Sequence, residues 1–184
     1  MRVIAGHFKG RPLAGPTRAG LRPTSDRLRE TLFNILAPRV PGARLLDAYA
    51  GTGAVGIEAL SRGASHVVFV ERDRQALALI QQNLGRCGVT GRYTIVSGDA
   101  REASVHPALQ HFDIVFLDPP YDLPDVDRAL DAASGLVVPG GLLILEHAVR
   151  RDVPGAVGRL IQRRQVRAGD SMLTFYEPAE EERQ

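Results

Sequence analysis

The sequence predicts an α/β fold built on a doubly wound, mostly parallel sheet, and three observations carry that reading. Apolar runs of strand length recur along the chain: HVVFVE at 66–71, YTIV at 93–96, DIVFL at 113–117 and GLLILE at 141–146. Continuous runs of this kind belong to strands covered on both faces, as in a parallel sheet. Between them lie segments with the apolar spacing of helices, 74–86 and 125–136. Alternation of the two element types is the pattern of a doubly wound sheet, whose ligands bind at the carboxyl ends of the strands. The third observation is the stretch 43–62, ARLLDAYAGTGAVGIEALSR. There a short apolar run ends on Asp47, a tight turn follows at Gly51 and Gly53, and a helical pattern begins near Val55.

A strand, a glycine turn and a helix N-terminus make a cradle for a cofactor. Glycine lets a ligand approach the backbone, and the first N–H groups of the helix have no partner within it. Two cofactors fit the spacing. Gly51, Gly53 and Gly56 satisfy the dinucleotide fingerprint, and Glu71 lies 20 residues beyond Gly51, where a ribose-binding acid is expected. The other is S-adenosylmethionine, bound in Rossmann-like methyltransferases by a loop with an acid four residues ahead of its first glycine. Asp47 favours the second. At the mouth of the sheet a carboxylate suits the ammonium of a methionine moiety and would repel a pyrophosphate. A strand–turn–helix with no ligand is the plainer alternative.

Taken in order, residues 1–20 mix short apolar pairs with Gly6, Gly10, Gly15 and Pro16, a density of turn residues that fits a hairpin or arm. Residues 21–36 (LRPTSDRLRETLFNIL) place Leu28, Leu32, Ile35 and Leu36 on one helical face, with Ser25 as the expected N-cap and Pro38 beyond the end. The polar start of this helix offers Arg22, Thr24 and Arg27 to a ligand carboxylate or a substrate phosphate; Arg27 and Arg29 could equally face solvent. In the helix 74–86, Leu77, Ile80, Gln81 and Leu84 mark the period. Glu71, ending the second strand, is placed to take both ribose hydroxyls. Asp99 and Ala100, just past the third strand, are placed to read the adenine amine. Asp47, Glu71, Asp99 and Asp118 all fall at carboxyl ends, and their agreement weighs more than any one of them.

Asp118-Pro119-Pro120-Tyr121 follows the fourth strand directly. The prolines fix φ and donate no N–H, so the loop is rigid and presents its carbonyls as acceptors. Asp118 adds a charged acceptor and Tyr121 a flat face. That set suits the exocyclic amine of a planar base: the carboxylate and the Pro119 carbonyl accept its protons while the tyrosine stacks on the ring. An aromatic amine is a poor nucleophile because its lone pair is delocalised, and acceptors on its hydrogens favour the pyramidal nitrogen that can attack. Stacking supplies about 1–3 kcal/mol without choosing the base. Nothing comparable serves hydride transfer, so the dinucleotide reading loses ground here. Further on, residues 173–176 read as a last strand, the six arginines in 150–167 as a basic surface, and Glu177, Glu180, Glu181 and Glu182 as an idle acidic tail.

Bulk properties fit one domain of 184 residues, divided into a basic arm (1–24), a catalytic core (25–177) and the tail (178–184). The net charge of +2 is unevenly spread. Residues 1–29 hold Arg2, Lys9, Arg11, Arg18, Arg22, Arg27 and Arg29 against Asp26 alone. An arm of that sign suits a polyanion, with Arg2, Lys9, Arg11, Arg22 and Arg27 as contacts; a solvated tail is the alternative. The single cysteine, Cys87, excludes an internal disulfide framework and fits a reducing compartment. The five histidines are scattered, so no metal site is expected. With no secretory or membrane-spanning run, a cytoplasmic monomer is expected.

The arm RVIAGHFKGRPL, the segment LRPTSDRLRETLFNIL, the loop DAYAGTGAVGIEALSRGA and DPPY, in this order, resemble the RsmD family of small-subunit rRNA guanine-N2 methyltransferases. The second segment is the most specific; the loop and DPPY occur in many amino-methyltransferases. The likeness thins beyond Arg150. It implies a class I S-adenosylmethionine-dependent fold with a seven-stranded sheet and an N-terminal β-hairpin. The implied substrate is one guanine of 16S rRNA beside the ribosomal P site, in an assembled or assembling small subunit. The family often has serine where Thr52 stands and phenylalanine at the last position of DPPY; both exchanges keep the chemistry. Only 64 residues separate Gly53 from Asp118, which leaves no room there for a DNA-reading insertion. A DNA adenine-N6 methyltransferase and a non-catalytic rRNA-binding assembly factor remain as alternatives, and nothing in DPPY itself separates guanine from adenine.

Overall fold

In the computed structural model, which describes residues 1–15, 26–106, 109–121 and 123–179, the apolar runs pair side by side in one sheet. Strands β1 (Arg44–Ala48), β2 (His66–Glu71), β3 (Tyr93–Ser97), β4 (Phe112–Leu117) and β5 (Val137–Ala148) are mutually parallel. Strands β6 (Ala156–Val157), β7 (Leu160–Ala168) and β8 (Ser171–Pro178) continue the sheet antiparallel, in the order 3-2-1-4-5-8-7-6. The sheet thus has eight strands where the resemblance implies seven; the additional one is the two-residue β6. The strand order reverses between β1 and β4, the topological switch point at which such sheets hold ligands.

Four helices cover the sheet: α1 (Asp26–Leu36), α2 (Ala54–Ser61), α3 (Arg74–Arg86) and α4 (Val126–Ser134). One core joins α1, α2 and α3 to the strand face carrying Leu45, Phe69, Phe116 and Ile144; a second joins α4 to the face carrying Leu46, Val68, Val115 and Leu145. Side chains alternate between faces along a strand, so consecutive strand residues feed different cores. In α3 the buried side is Ala76, Ile80, Asn83 and Leu84; Gln81, read above as part of the apolar period, is exposed. Helix α2 lies unusually close to β2. A Cβ built on Gly56 would meet Phe69 Cε1 at 2.2 Å, so the third glycine of the fingerprint serves helix–strand packing.

The N-terminal arm doubles back on itself through one antiparallel bridge, Arg2 to Pro12, and then packs down on α2. The Glu58 carboxylate accepts the backbone N–H groups of Ile4 (2.8 Å) and Ala5 (3.0 Å), while Ser61 accepts those of His7 and Phe8. At φ +80°, with the Ser61 carbonyl occupying the space of a side chain, Gly6 is the residue this approach requires. Arg29, which the sequence allowed to face solvent, is completely buried. Its guanidinium donates to Asp26 (2.6 Å) and to the Arg2 carbonyl (2.8 Å), and sits 3.6 Å from the equally buried Glu58. The arm is therefore stitched to the core by a buried ion pair.

The structure adds to two further readings and leaves a third outside the described residues. Residues 150–167 carry their arginines in part on β7, whose alternation is masked by exposed Arg163, Arg164 and Gln165. Glu177, taken as idle, pairs with Arg39 at 2.8 Å. Ser25, Arg22 and Thr24 lie outside the described residues, as do 180–184. Among the described residues no helix is long and apolar enough to cross a membrane.

Replacing Glu58 by Gln removes the buried countercharge of Arg29 and leaves it only the half-exposed Asp26. Removing one partner of a buried pair costs about 3–5 kcal/mol. Urea denaturation of Glu58→Gln should show a loss of that order, with residues 1–15 becoming protease-sensitive before the core unfolds.

Candidate active site

A cavity of about 600 Å³ opens at the carboxyl ends of β1, β2, β4 and β5, a volume ordinary for a small-ligand site. Its wall gathers Asp47, Gly51, Glu71, Asp118, Pro119 and Tyr121, all singled out from sequence, and Arg27 of α1 contributes from the helix side. The convergence follows from strand register. Asp47, Glu71 and Asp118 each stand two residues beyond a member of one core, Leu45, Phe69 and Phe116 respectively. The period of two then points all three acids to the same side of the sheet.

Asp47 is buried, and its Oδ2 accepts the Gly56 N–H at 2.8 Å. Burial pushes its pKa up to about 8, with the Gly56 bond opposing the shift and the nearby Glu71 charge adding to it. Between about pH 4 and 8 the folded chain holds a proton here that the unfolded chain has lost, so this group alone makes the fold less stable as pH rises through that window. A cationic ligand beside Asp47 would remove the penalty. Gly51 (φ +54°) and Gly53 (φ +75°) turn the chain between Asp47 and α2. Gly53 forms the turn without lining the cavity. Glu71 buttresses this turn: Oε2 accepts the Gly51 N–H (2.9 Å), and Oε1 those of Arg72 (2.8 Å) and Asp73 (2.9 Å). Its carboxylate is thus fixed at the cavity wall, with Oε2 keeping a lone pair for a ligand hydroxyl.

Asp99 and Ala100 are not brought to the cavity wall. Arg101 grips the Asp99 carboxylate through Nε (3.0 Å) and Nη2 (2.6 Å), and Arg72 lies 3.5 Å away. The Arg101 hydrogen bonds hold the Asp99 carboxyl down at about 2. Sequence could not foresee that its partner lies two residues on. The arm residues Arg2, Lys9 and Arg11 also lie off the cavity. Arg11 is spoken for: its guanidinium donates to the Cys87 carbonyl and lies over the Phe8 ring.

The DPPY loop leaves β4 with the Asp118 N–H on the Ala48 carbonyl (3.4 Å). Pro119 is buried, whereas Tyr121 is 38% exposed, the one large apolar side chain so exposed among the described residues. Its hydroxyl is hydrogen-bonded to Ser171 Oγ at 2.6 Å and reaches Glu146 at 3.4 Å, so the ring is held by its far end and presents a face. Sequence reasoning passed over Glu146, Ser171 and Tyr49. Glu146 ends an apolar run as the other acids do, two residues beyond Ile144, and the same rule would have found it. Tyr49 adopts φ +66°, a conformation that costs a non-glycine residue energy and clusters at functional sites. Its hydroxyl is buried in the cavity wall with no hydrogen-bond partner among the described residues. Among these residues no group of three His, Cys, Asp or Glu is placed to hold a metal.

Comparison with known proteins agrees with this fold. A family model described as "Conserved hypothetical protein 95" matches residues 1–177. The putative rRNA methyltransferase YlbH of Bacillus subtilis is 35% identical over 181 residues, covering 96% of this chain and 98% of its own. Ribosomal RNA small subunit methyltransferase D of Escherichia coli K12 is 34% identical over 179 residues, covering 96% and 89%. The solved structure of the putative methyltransferase yhhF from Escherichia coli superposes with a TM-score of 0.85 at 33% identity, covering 98% of this chain and 99% of that one. With a model spanning nearly the whole chain and relatives above a third identical along it, the protein belongs to the RsmD family of methyltransferases.

Proposed function

We propose that this protein transfers a methyl group from S-adenosylmethionine to the exocyclic N2 amine of a guanine in small-subunit (16S) rRNA, alone or within an assembling subunit. The observation that carries the reading is the placement of Asp47 and the Asp118–Tyr121 loop in the wall of one cavity. The residues present fit the cofactor. A buried carboxylate raised by desolvation calls for a cation, the methionine ammonium; Glu71 offers fixed acceptors to the ribose; the orphaned Tyr49 hydroxyl can meet a further polar group. Bound there, S-adenosylmethionine supplies an electrophilic methyl on a sulfonium sulfur. Asp99 would reach the adenine only by sharing its Arg101 pairing.

The chain's own work is to hold the amine. Asp118 and the Pro119 carbonyl accept its protons, which draws the nitrogen lone pair out of the ring and places a negative charge beside the positive charge that develops in the transition state. Tyr121, tethered at its hydroxyl, stacks on the base. Arg2 and Lys9, exposed on the arm, and Arg27 at the cavity serve phosphates; Arg22 and Thr24 would extend this set. The relatives' names support rRNA as the substrate class, and the N2 position rests on the family resemblance.

Four measurements test this. Asp118→Ala should bind cofactor within about threefold of wild type yet lose about 10²–10³ in kcat, the scale for one transition-state hydrogen-bonding group. Labelled methyl should enter rRNA and not DNA; label in DNA adenine would overturn the reading. Asp47 is protonated in the free protein at pH 6.5, and a bound ammonium requires the carboxylate, so binding releases a proton and weakens by up to tenfold per unit as pH falls. Calorimetric titration at pH 6.5 in two buffers of different ionisation enthalpy should show release of close to one proton in wild type and none in Asp47→Asn. Finally, Arg2→Ala with Lys9→Ala should reduce the slope of log affinity against log salt by about 1 per residue, whereas Arg11→Ala should mainly lower stability.

A further inference from the structure

An amine clamp alone does not choose a base, because adenine and guanine both carry an exocyclic amine. They differ at the neighbouring ring nitrogen on the Watson–Crick edge, the edge by which extruded bases are read. Guanine N1 bears a proton beside the N2 amine; adenine N1 is a bare lone pair beside the N6 amine. A site that selects guanine therefore needs a second acceptor next to the first.

Glu146 stands in that place. Strands β4 and β5 pair Phe116 with Ile144 and Leu117 with Leu145. Asp118 follows just past the end of β4 and Glu146 still within β5, on neighbouring strands whose ordinary spacing is about 4.8 Å. Both line the cavity, and both stand two residues beyond a side chain of the same core, so they share a side of the sheet. Glu146 is only 5% exposed. Its Oε1 accepts from Ser171 Oγ (3.0 Å) and lies 3.4 Å from the Tyr121 hydroxyl, which is itself 2.6 Å from Ser171. One small network thus fixes the base-stacking ring relative to the second carboxylate.

We infer that Glu146 is the residue that selects guanine: its carboxylate accepts the N1–H of the base whose N2 amine is held by Asp118. The inference rests on the methyltransferase reading above and adds the choice of base. An ionised carboxylate only accepts. Facing adenine N1, it would set lone pair against lone pair, a repulsive device against the wrong base. Sites built around a substrate hydrogen bond reject analogues lacking it by about 10⁴–10⁵.

The test uses 2-aminopurine, which keeps the C2 amine and leaves N1 unprotonated. Small subunits are reconstituted with rRNA carrying either guanine or 2-aminopurine at the position the wild-type enzyme methylates, and kcat/KM is measured for each. Wild type should favour guanine by at least about a hundredfold, conservatively below the ceiling for such sites. Glu146→Gln, whose amide can donate to a bare N1, should narrow that ratio to within about tenfold while melting and binding cofactor as wild type does. Ser171→Ala, which loosens Tyr121 and Glu146 together, should slow both substrates and keep the preference for guanine. Equal use of the two bases by wild type overturns the inference, and that comparison stands even if Glu146→Gln fails to fold. An unchanged ratio in a folded Glu146→Gln, with both rates lowered alike, assigns Glu146 to anchoring Tyr121 and also overturns it. Failure of wild type to methylate guanine at all would overturn the parent reading, a result distinct from either.

Discussion

The bond from the Gly56 N–H to the buried carboxylate of Asp47, 2.8 Å long, joins the tip of β1 to the first turn of α2 and closes the glycine turn between them. The rest of the site is arranged around it. With Asp47 anchored, Gly51 comes under the Glu71 carboxylate, and the end of β2 is drawn to the end of β1. With Gly56 anchored, α2 settles against Phe69 at a distance that no larger residue at 56 would permit. The same carboxyl lines the cavity, where burial favours its protonated form. The structural tie and the proposed ligand grip are one group.

Parallel pairing does the remaining work of assembly. In register, Leu45, Phe69, Phe116 and Ile144 belong to one core, and each is followed two places later by an acid. A slip of one residue in any strand would send its acid to the α4 side of the sheet. The buried apolar runs that hold the register therefore also aim the chemistry. This ties substrate recognition to core packing more closely than a loop-built site would.

The parallel half of the sheet was legible because strands covered on both faces must be apolar throughout, and HVVFVE, DIVFL and GLLILE satisfy no other element as well. β7 was not legible: it carries Gln162, Arg163, Arg164 and Gln165 in a row, and only its pairing with β8 makes a strand of it. Burial of Arg29 was hidden for a related reason. Besides the local Asp26, its partners are Glu58, on another helix, and a backbone carbonyl of the arm, and neither of these two leaves a mark in the local pattern. For Asp99, position at a strand end was a sound guide to neighbourhood and a poor one to orientation, since a nearby arginine took the carboxylate. Glu146 was available by the rule already in use. Its place is less plain because β5 runs on to Ala148, so this acid lies inside its strand.

The amide of Asn83 carries a consequence of its own. Its Oδ1 accepts the Ala14 N–H (2.7 Å), and its Nδ2 donates to the Ala14 carbonyl (3.1 Å) and to the carbonyl of Thr52 inside the glycine turn (2.9 Å). One buried side chain on α3 thus splints the base of the arm to the cofactor turn. Cutting the chain near residue 25, where charge alone would set a boundary, would strip the turn of its outer brace. A shortened chain made that way would lose the brace on its cofactor turn along with the positive charge of the arm.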